Sequence, residues 1–125
     1  MDLKVLICDD SILMRKKIKD VLFSMGIKQL SEADNGQQAI DIYKEKKPDL
    51  VFMDITMPVK SGIEALSEIM TYDSNAKVII ASSIGTNNKL KDAIKLGAYD
   101  FMQKPINEEQ LRKIIINYTD KINNN

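Results

Sequence analysis

The 125-residue sequence lacks histidine altogether and contains a single cysteine, Cys8. Without histidine, the chain has no imidazole to serve as a metal ligand, as a general base or as a histidine-type phosphoacceptor. One cysteine cannot close a disulfide within the chain, which is typical of proteins from a reducing compartment. Because Cys8 stands at the end of an apolar run, we interpret it as a core residue.

The sequence also lacks long hydrophobic runs and an excess of either charge. Its longest apolar stretches, such as residues 78–81, have only a handful of residues, whereas a membrane span needs about 20. No signal peptide fits before Asp9, so we expect a cytoplasmic protein without membrane contact. Lysine plus arginine and aspartate plus glutamate number 18 each, which gives a formal net charge of zero. A nucleic-acid binder relying on bulk electrostatics would need a basic excess, so we expect no nucleic-acid partner.

The remaining composition is that of one globular domain, which we predict to span residues 1–125. Apolar residues make up 44% and charged residues 29% of the chain, and single cores typically span about 100–150 residues. Short apolar runs, which suit buried strands in length and composition, cover residues 3–8, 29–33, 50–53, 78–81 and 99–102.

Helical periodicity separates these runs. The pattern predicts helices over residues 14–25, 37–46, 61–70, 88–96 and 108–122. Ser61 followed by Glu64 is typical of a capping box, and Asn107 with Gln110 starts the last helix. Strict alternation of strands and helices predicts an α/β fold with a five-stranded parallel sheet, right-handed crossovers and helices on both faces.

Charged and hydroxyl side chains follow four of the predicted strands. They are Asp9 and Asp10 after the first strand, Asp54 after the third, Ser82 after the fourth and Lys104 after the fifth. Taken singly, each has an ordinary explanation as a helix cap, a turn former or a solvated charge. Ligands of such sheets bind beyond the carboxyl ends of the strands, so the joint occurrence predicts a site at that edge.

Three carboxylates at one sheet edge require a cation. Two carboxylates about 5 Å apart repel each other by about 3 kcal/mol at an effective dielectric constant of 20. Oxygen ligands without histidine or cysteine suit Mg²⁺. An aspartate can attack phosphorus to give an aspartyl phosphate, while a metal, an ammonium group and a hydroxyl neutralise the phosphoryl oxygens. The pattern therefore indicates magnesium-dependent phosphoryl transfer to an aspartate.

Four motifs resemble the receiver domains of two-component response regulators. They are Asp9-Asp10, the segment MDITMP at 53–58, Ala81-Ser82-Ser83 and Lys104-Pro105, and they match in order and spacing over essentially the whole chain. The resemblance implies a doubly wound, flavodoxin-like sheet with the strand order 2-1-3-4-5 known from CheY. It also implies that Asp54 is the phosphoacceptor.

The resemblance further implies a metal site and a switch. Mg²⁺ is expected on Asp9, Asp10 and Asp54 with the backbone carbonyl of Thr56. Ser82 would supply the hydroxyl that moves onto the phosphoryl group. Lys104 would be the ionic partner of the phosphoryl group, and its bond to Pro105 would be cis. Phe101 would be the switch aromatic.

Two departures from the family pattern concern the switch. Serine stands at 82 where threonine is commoner, and phenylalanine stands at 101 where tyrosine often occurs. Ser82 keeps the hydrogen bond, but Phe101 cannot form a phenolic one. We expect Phe101 to turn inward on phosphorylation. A partner is then expected to bind the face formed by residues 88–96, 99–102 and 108–122. The alternative is that Phe101 is a core residue with a fixed position.

The resemblance also bears on how long the phosphoryl group survives. Side chains two residues after the phosphoacceptor and two after the hydroxyl residue, here Thr56 and Ile84, influence the water that removes it. Ile84 has no polar atom to orient a water molecule, so we expect slow self-dephosphorylation. Beyond catalysing its own phosphorylation and dephosphorylation, the chain is not expected to be an enzyme.

The chain ends shortly after the fifth predicted helix, so we expect a monomeric regulator that acts by docking. The segment 10–15 resembles chemotaxis members of the family, which implies a CheY-like protein. Its partners would be a CheA-like histidine kinase as phosphodonor, a motor switch or adaptor protein as target, and a phosphatase. Alternatives are a phosphorelay shuttle or an isolated receiver of a larger regulator.

Two functions of a different class fit the sequence less well. A flavodoxin-like electron carrier needs an uncharged phosphate loop rich in glycine and hydroxyls after the first strand, where this chain has Asp9 and Asp10. An aspartate-based phosphatase needs a second aspartate two residues after the nucleophile, where this chain has Thr56.

Overall fold

The five apolar runs form the strands of one sheet, as predicted. This computed structural model describes residues 2–124, apart from the side chains of Ile84 and Asn87. The strands are β1 (Lys4–Cys8), β2 (Gln29–Ala33), β3 (Leu50–Asp54), β4 (Val78–Ser82) and β5 (Asp100–Gln103). The helices are α1 (Ile12–Ser24), α2 (Gly36–Lys46), α3 (Gly62–Tyr72), α4 (Leu90–Lys95) and α5 (Glu108–Asn123), with a 3-10 helix at Ile84–Lys89.

All strand pairs of the sheet are parallel, in the order β2-β1-β3-β4-β5. This confirms the predicted fold class and strand order. Every residue of β3 and β4 is buried, because helices cover both faces of a parallel sheet. By contrast, the edge strand β5 buries only Met102, so the expectation of a fully buried fifth strand is wrong; a neighbouring strand covers one of its edges only.

Helices pack on both faces of the sheet. On one face, α2, α3 and α4 contribute Ile40, Leu66 and Ala93 to a core that also contains Cys8, the expected core cysteine. On the other face, α1 and α5 contribute residues such as Leu22 and Ile115. Each fully buried aliphatic side chain of this kind stabilises the fold by roughly 1.5–3 kcal/mol. Within 2–124, no helix combines the length and apolarity needed to cross a membrane.

The helix starts follow their capping residues. The hydroxyl of Ser11 accepts a hydrogen bond from the Met14 amide, which places the start of α1 at Ile12, two residues earlier than predicted. The capping box at Ser61 and Glu64 is confirmed by both of its hydrogen bonds. These caps satisfy amide groups that the first helical turn leaves without a partner.

The predicted helix over 88–96 is wrong in its first part. Residues Ile84–Lys89 form a 3-10 helix, and α4 comprises only Leu90–Lys95. The Thr86 hydroxyl accepts from the Ser83 amide at 2.9 Å and donates to the Ser83 carbonyl, to which the Thr86 amide also donates at 3.0 Å. Hydrogen bonds between residues i and i+3, such as these, are the pattern of a 3-10 helix.

Candidate functional site

Three aspartates meet at the carboxyl ends of β1 and β3. Asp9 and Asp10 directly follow β1, and Asp54 is the last residue of β3. One carboxylate oxygen from each lies within 4.8 Å of the others. Asp9 and Asp54 are only 2% and 8% exposed, whereas Asp10 faces solvent. The structure therefore brings together the three carboxylates that the sequence predicted to meet.

Lys104 lies among these carboxylates. Its Nζ atom donates to Asp9 Oδ2 at 2.8 Å and to Asp54 Oδ2 at 2.9 Å. The Lys104 amide donates to the Ser82 carbonyl at 2.7 Å, which attaches the segment after β5 to the end of β4. The bond between Lys104 and Pro105 is cis, as the resemblance implied. One ammonium group thus pairs with two of the three carboxylates.

The charge balance of the site shifts two pKa values. Burial is the main cause that raises the pKa of Asp54; the Asp9 charge adds to it, while Lys104 partly offsets it. Burial alone would lower the pKa of Lys104, but its hydrogen bonds to Asp9 and Asp54 outweigh this and raise it. The pKa of Asp54 is thus raised chiefly by burial, and that of Lys104 by its two carboxylate partners.

The donor set of this cluster suits Mg²⁺. Asp9, Asp10 and Asp54 offer carboxylate oxygens within 4.8 Å of one another, and hard oxygen ligands are those that Mg²⁺ prefers. The one cysteine of the chain, Cys8, is buried, and burial raises the pKa of its thiol, which disfavours the thiolate that a metal would bind. The Thr56 amide donates to Asp54 Oδ1 at 3.3 Å, and the role of the Thr56 carbonyl as a further ligand stays a prediction.

The two residues of the expected switch lie in different environments. Ser82 ends β4 and is fully buried, whereas Phe101 on β5 is 46% exposed. The alternative that Phe101 is a fixed core residue is therefore wrong. Phe101 borders a cavity of about 210 Å³ that Ile80 and Ala93 also line. The side chain of Ile84, on which the expected phosphoryl lifetime depends, lies outside the described part of the chain.

Close backbone packing positions the segment after Asp54. The Gly62 amide donates to the Ile55 carbonyl at 2.7 Å, and a Cβ atom at Gly62 would overlap with the Asp54 carbonyl group. Similarly, the Gly36 amide donates to the Lys60 carbonyl at 3.1 Å, and a Cβ atom there would overlap with that carbonyl. Only glycine allows these close approaches of α3 to β3 and of α2 to the Lys60 carbonyl.

An arginine contact at the site was not predicted from the sequence. Arg15 Nη1 donates to the Asp9 carbonyl at 2.5 Å, and Arg15 Nε donates to Glu32 Oε1 at 2.9 Å. Helical side chains lean toward the helix N-terminus, so an arginine four residues after the cap Ser11 reaches back to the start of α1. That spacing is the sequence signal for this contact.

Comparisons with known proteins agree with this geometry. The family described as the response regulator receiver domain matches residues 5–116. The chemotaxis protein CheY of Thermotoga maritima is 49% identical over 105 residues, which cover 84% of this chain and 88% of that protein. CheY of Bacillus subtilis is 46% identical over 112 residues, or 90% of this chain and 93% of that protein. A chain in the crystal structure of the CheX–CheY–BeF₃–Mg²⁺ complex from Borrelia burgdorferi is 35% identical, with a TM-score of 0.86 and coverage of 92% of this chain and 87% of that one.

Proposed function

Because the chain belongs to the response regulator receiver domain family of two-component signalling, we propose that it is a phosphorylation-activated switch with Asp54 as its phosphoacceptor. The observation that carries the proposal is the placement of Asp54. Its carboxylate ends a buried strand, clusters with Asp9 and Asp10, and accepts a hydrogen bond from Lys104. This carboxylate combines burial, an adjacent ammonium group and two acidic neighbours.

These residues support phosphoryl transfer in defined ways. An oxygen of Asp54 forms a bond to phosphorus while the bond from phosphorus to a nitrogen of the donor histidine breaks. Lys104, already 2.9 Å from Asp54 Oδ2, would stabilise the charge on the phosphoryl oxygens, and Ser82 would offer them a hydroxyl. Mg²⁺ held by Asp9, Asp10, Asp54 and the Thr56 carbonyl would supply further positive charge. The chain acts on its own carboxylate and on no separate substrate.

The relatives support a more specific role in chemotaxis. Both curated relatives described above are named chemotaxis protein CheY, and this chain covers most of their length. We therefore propose a CheA-like histidine kinase as the phosphodonor and a motor switch or adaptor protein as the target. The CheX–CheY complex from Borrelia burgdorferi supports the docking of a second protein, such as a phosphatase, on a chain of this fold.

The phosphoacceptor is tested by phosphorylation with a small-molecule donor. The purified protein is incubated with acetyl phosphate and Mg²⁺, and its intact mass is measured. The wild type should gain one phosphoryl group and Asp54→Asn none. Asp41→Asn is the matched control, because Asp41 lies exposed on α2 and forms a hydrogen bond with Gln37. Phosphorylation of Asp54→Asn to the wild-type extent would refute the proposal.

A further inference from the structure

The backbone between the two neighbouring aspartates is held by a side chain from α1. The carbonyl of Asp9 belongs to the rigid peptide unit that joins Asp9 to Asp10. Arg15 Nη1 donates to this carbonyl at 2.5 Å. The nitrogen of this peptide unit is the backbone nitrogen of Asp10. The orientation of the peptide plane therefore influences the direction in which the Asp10 side chain leaves the backbone. Arg15 is thus bound to the link between two carboxylates of the site.

The other polar groups of Asp9 also have partners. Its amide donates to the Ala33 carbonyl on β2 at 3.0 Å. Its carboxylate accepts from the Ser11 amide at 2.9 Å and from Lys104 at 2.8 Å. With the contact from Arg15, both backbone groups and both carboxylate oxygens of Asp9 are fixed. Asp10, which faces solvent, depends more on the orientation of its backbone.

Arg15 is itself anchored. Its Nε atom donates to Glu32 Oε1 at 2.9 Å, and Lys19 Nζ holds the other oxygen, Glu32 Oε2, at 3.0 Å. The Arg15 side chain is only 13% exposed, so it is held in one place by packing as well as by hydrogen bonds. A planar guanidinium group can donate to the Asp9 carbonyl and to Glu32 at once, whereas a single ammonium group lacks this fork.

From these contacts we infer that Arg15, anchored by Glu32, is a positioning residue that orients the Asp9–Asp10 carboxylate pair for a divalent cation. The inference rests on the proposed function and extends it to a residue outside the acidic cluster. Arg15 acts through the backbone and touches neither the phosphoacceptor nor the metal ligands' carboxylates in the contacts described.

Charge and positioning predict opposite effects when Arg15 is removed. Loss of a positive charge beside three carboxylates should by itself strengthen the binding of a divalent cation. Loss of the hydrogen bond to the Asp9 carbonyl should instead let the Asp9–Asp10 peptide rotate and weaken that binding. The sign of the change in metal affinity therefore separates a positioning role from an electrostatic one.

The test is a titration of the metal-free protein with Mn²⁺, read by its electron paramagnetic resonance signal, with Mg²⁺ as competitor. We expect Arg15→Ala and Arg15→Lys to weaken the competable site by roughly three- to tenfold, the range for one lost hydrogen bond of ordinary net strength. Lys19→Ala is the matched control, because it removes a positive charge that pairs with the same Glu32 and makes no contact with Asp9. The Mn²⁺ affinity of this variant should stay within about twofold of the wild type. Melting temperatures without metal show whether each variant is folded, and Arg15→Lys keeps the charge and most of the stem if Arg15→Ala does not fold.

Two outcomes would overturn the inference. Folded Arg15 variants that bind as tightly as the wild type, or more tightly, would leave no positioning role. The metal site itself is refuted if the wild type binds no Mn²⁺ that Mg²⁺ displaces, or if Asp10→Asn does not weaken that binding. The inference about Arg15 then fails as well. Phosphoryl uptake on Asp54, measured separately by mass, shows whether the proposed phosphoacceptor stands in either case.

Discussion

The Nζ atom of Lys104 lies 2.9 Å from Oδ2 of Asp54, and the same nitrogen lies 2.8 Å from Asp9 Oδ2. The ammonium group therefore bridges the proposed phosphoacceptor and one of the proposed metal ligands. Among the residues described, the cluster still contains one more carboxylate, Asp10. A divalent cation would correct this imbalance, and several properties of the protein should depend on it.

The first prediction concerns Mg²⁺ and stability. A ligand that binds only the folded state at 100 times its dissociation constant adds about 2.7 kcal/mol to the free energy of unfolding. We expect the melting temperature of the wild type to rise by roughly 10 °C in saturating Mg²⁺, since about 1 kcal/mol corresponds to several degrees in a domain of this size. In Asp10→Asn, measured by the same thermal scans, most of this rise should disappear.

Asp10 is the informative position because it is exposed and an asparagine there should fold normally. Asp41→Asn, on the exposed side of α2, should respond to Mg²⁺ as the wild type does. An equal rise in melting temperature for the wild type and Asp10→Asn would show that the metal does not bind at these carboxylates.

The second prediction concerns pH in the absence of metal. The pKa of Asp54 is raised in the folded protein, mainly by burial, so the folded state holds this proton more tightly than the unfolded state. The stability associated with Asp54 is therefore complete below its ordinary pKa and is lost as the pH rises through the raised value. Asp54→Asn removes this loss, and we expect it to be more stable than the wild type at pH 7 by on the order of 1 kcal/mol.

Urea unfolding in the presence of a chelator, from neutral pH down to about pH 4, measures this difference. The advantage of Asp54→Asn should shrink as the pH falls, because the wild-type carboxyl becomes protonated. A wild type that is more stable than the variant at pH 7 would show that the pair with Lys104 outweighs the burial of Asp54.

The sequence was sufficient to predict the sheet and the acidic cluster. Apolar runs locate parallel strands that are buried on both faces, and the carboxyl ends of parallel strands lie at one edge. For this reason the sequence pattern placed Asp9, Asp54 and Lys104 at one edge of the sheet. Their order along that edge follows from the strand order 2-1-3-4-5, which the resemblance to receiver domains implied.

Details that depend on side-chain reach and on local competition could not be predicted. The spacing of Arg15 from Ser11 permits a contact with the Asp9 carbonyl, but whether the contact forms depends on the rotamer of a long side chain. The 3-10 helix depends on hydrogen bonds between Ser83 and Thr86, which compete with an α-helical start. The exposure of Phe101 follows from the edge position of β5, which the expected strand order implied but which the apolar composition of its run does not show.

The third prediction concerns Gly62, the glycine that packs against the end of β3. A Cβ atom at Gly62 would overlap with the Asp54 carbonyl group, so Gly62→Ala requires α3 to move away from β3. We expect a loss of about 3 kcal/mol in the free energy of unfolding, measured by urea titration. Gly85→Ala is the matched control, since a Cβ atom there has nothing within 4 Å, and its stability should stay within about 0.5 kcal/mol of the wild type. Similar losses in both variants would contradict the close packing of Gly62.

The last prediction concerns the coupling between phosphorylation and partner binding. A phosphoryl group on Asp54 would place new acceptor oxygens beside the end of β4, where the buried Ser82 can gain a charge-assisted hydrogen bond by moving toward them. The Ser82 carbonyl already accepts from the Lys104 amide at 2.7 Å, so this movement would act on the end of β5 as well. Phe101, on β5, borders a cavity of about 210 Å³, and we expect its ring to turn into this space on phosphorylation.

Partner affinity with and without phosphorylation measures this coupling. Ser82→Ala should lose most of the gain in affinity that phosphorylation produces, because the alanine has no hydroxyl to follow the phosphoryl group. Phe101→Tyr should keep much of the gain, since the inward position of a phenylalanine ring is apolar and depends on no phenolic hydrogen bond. Ser83→Ala is the matched control, because Ser83 is exposed and directly follows β4. If Ser82→Ala responds to phosphorylation as strongly as the wild type and Ser83→Ala do, Ser82 does not transmit the signal, even where Asp54 accepts the phosphoryl group.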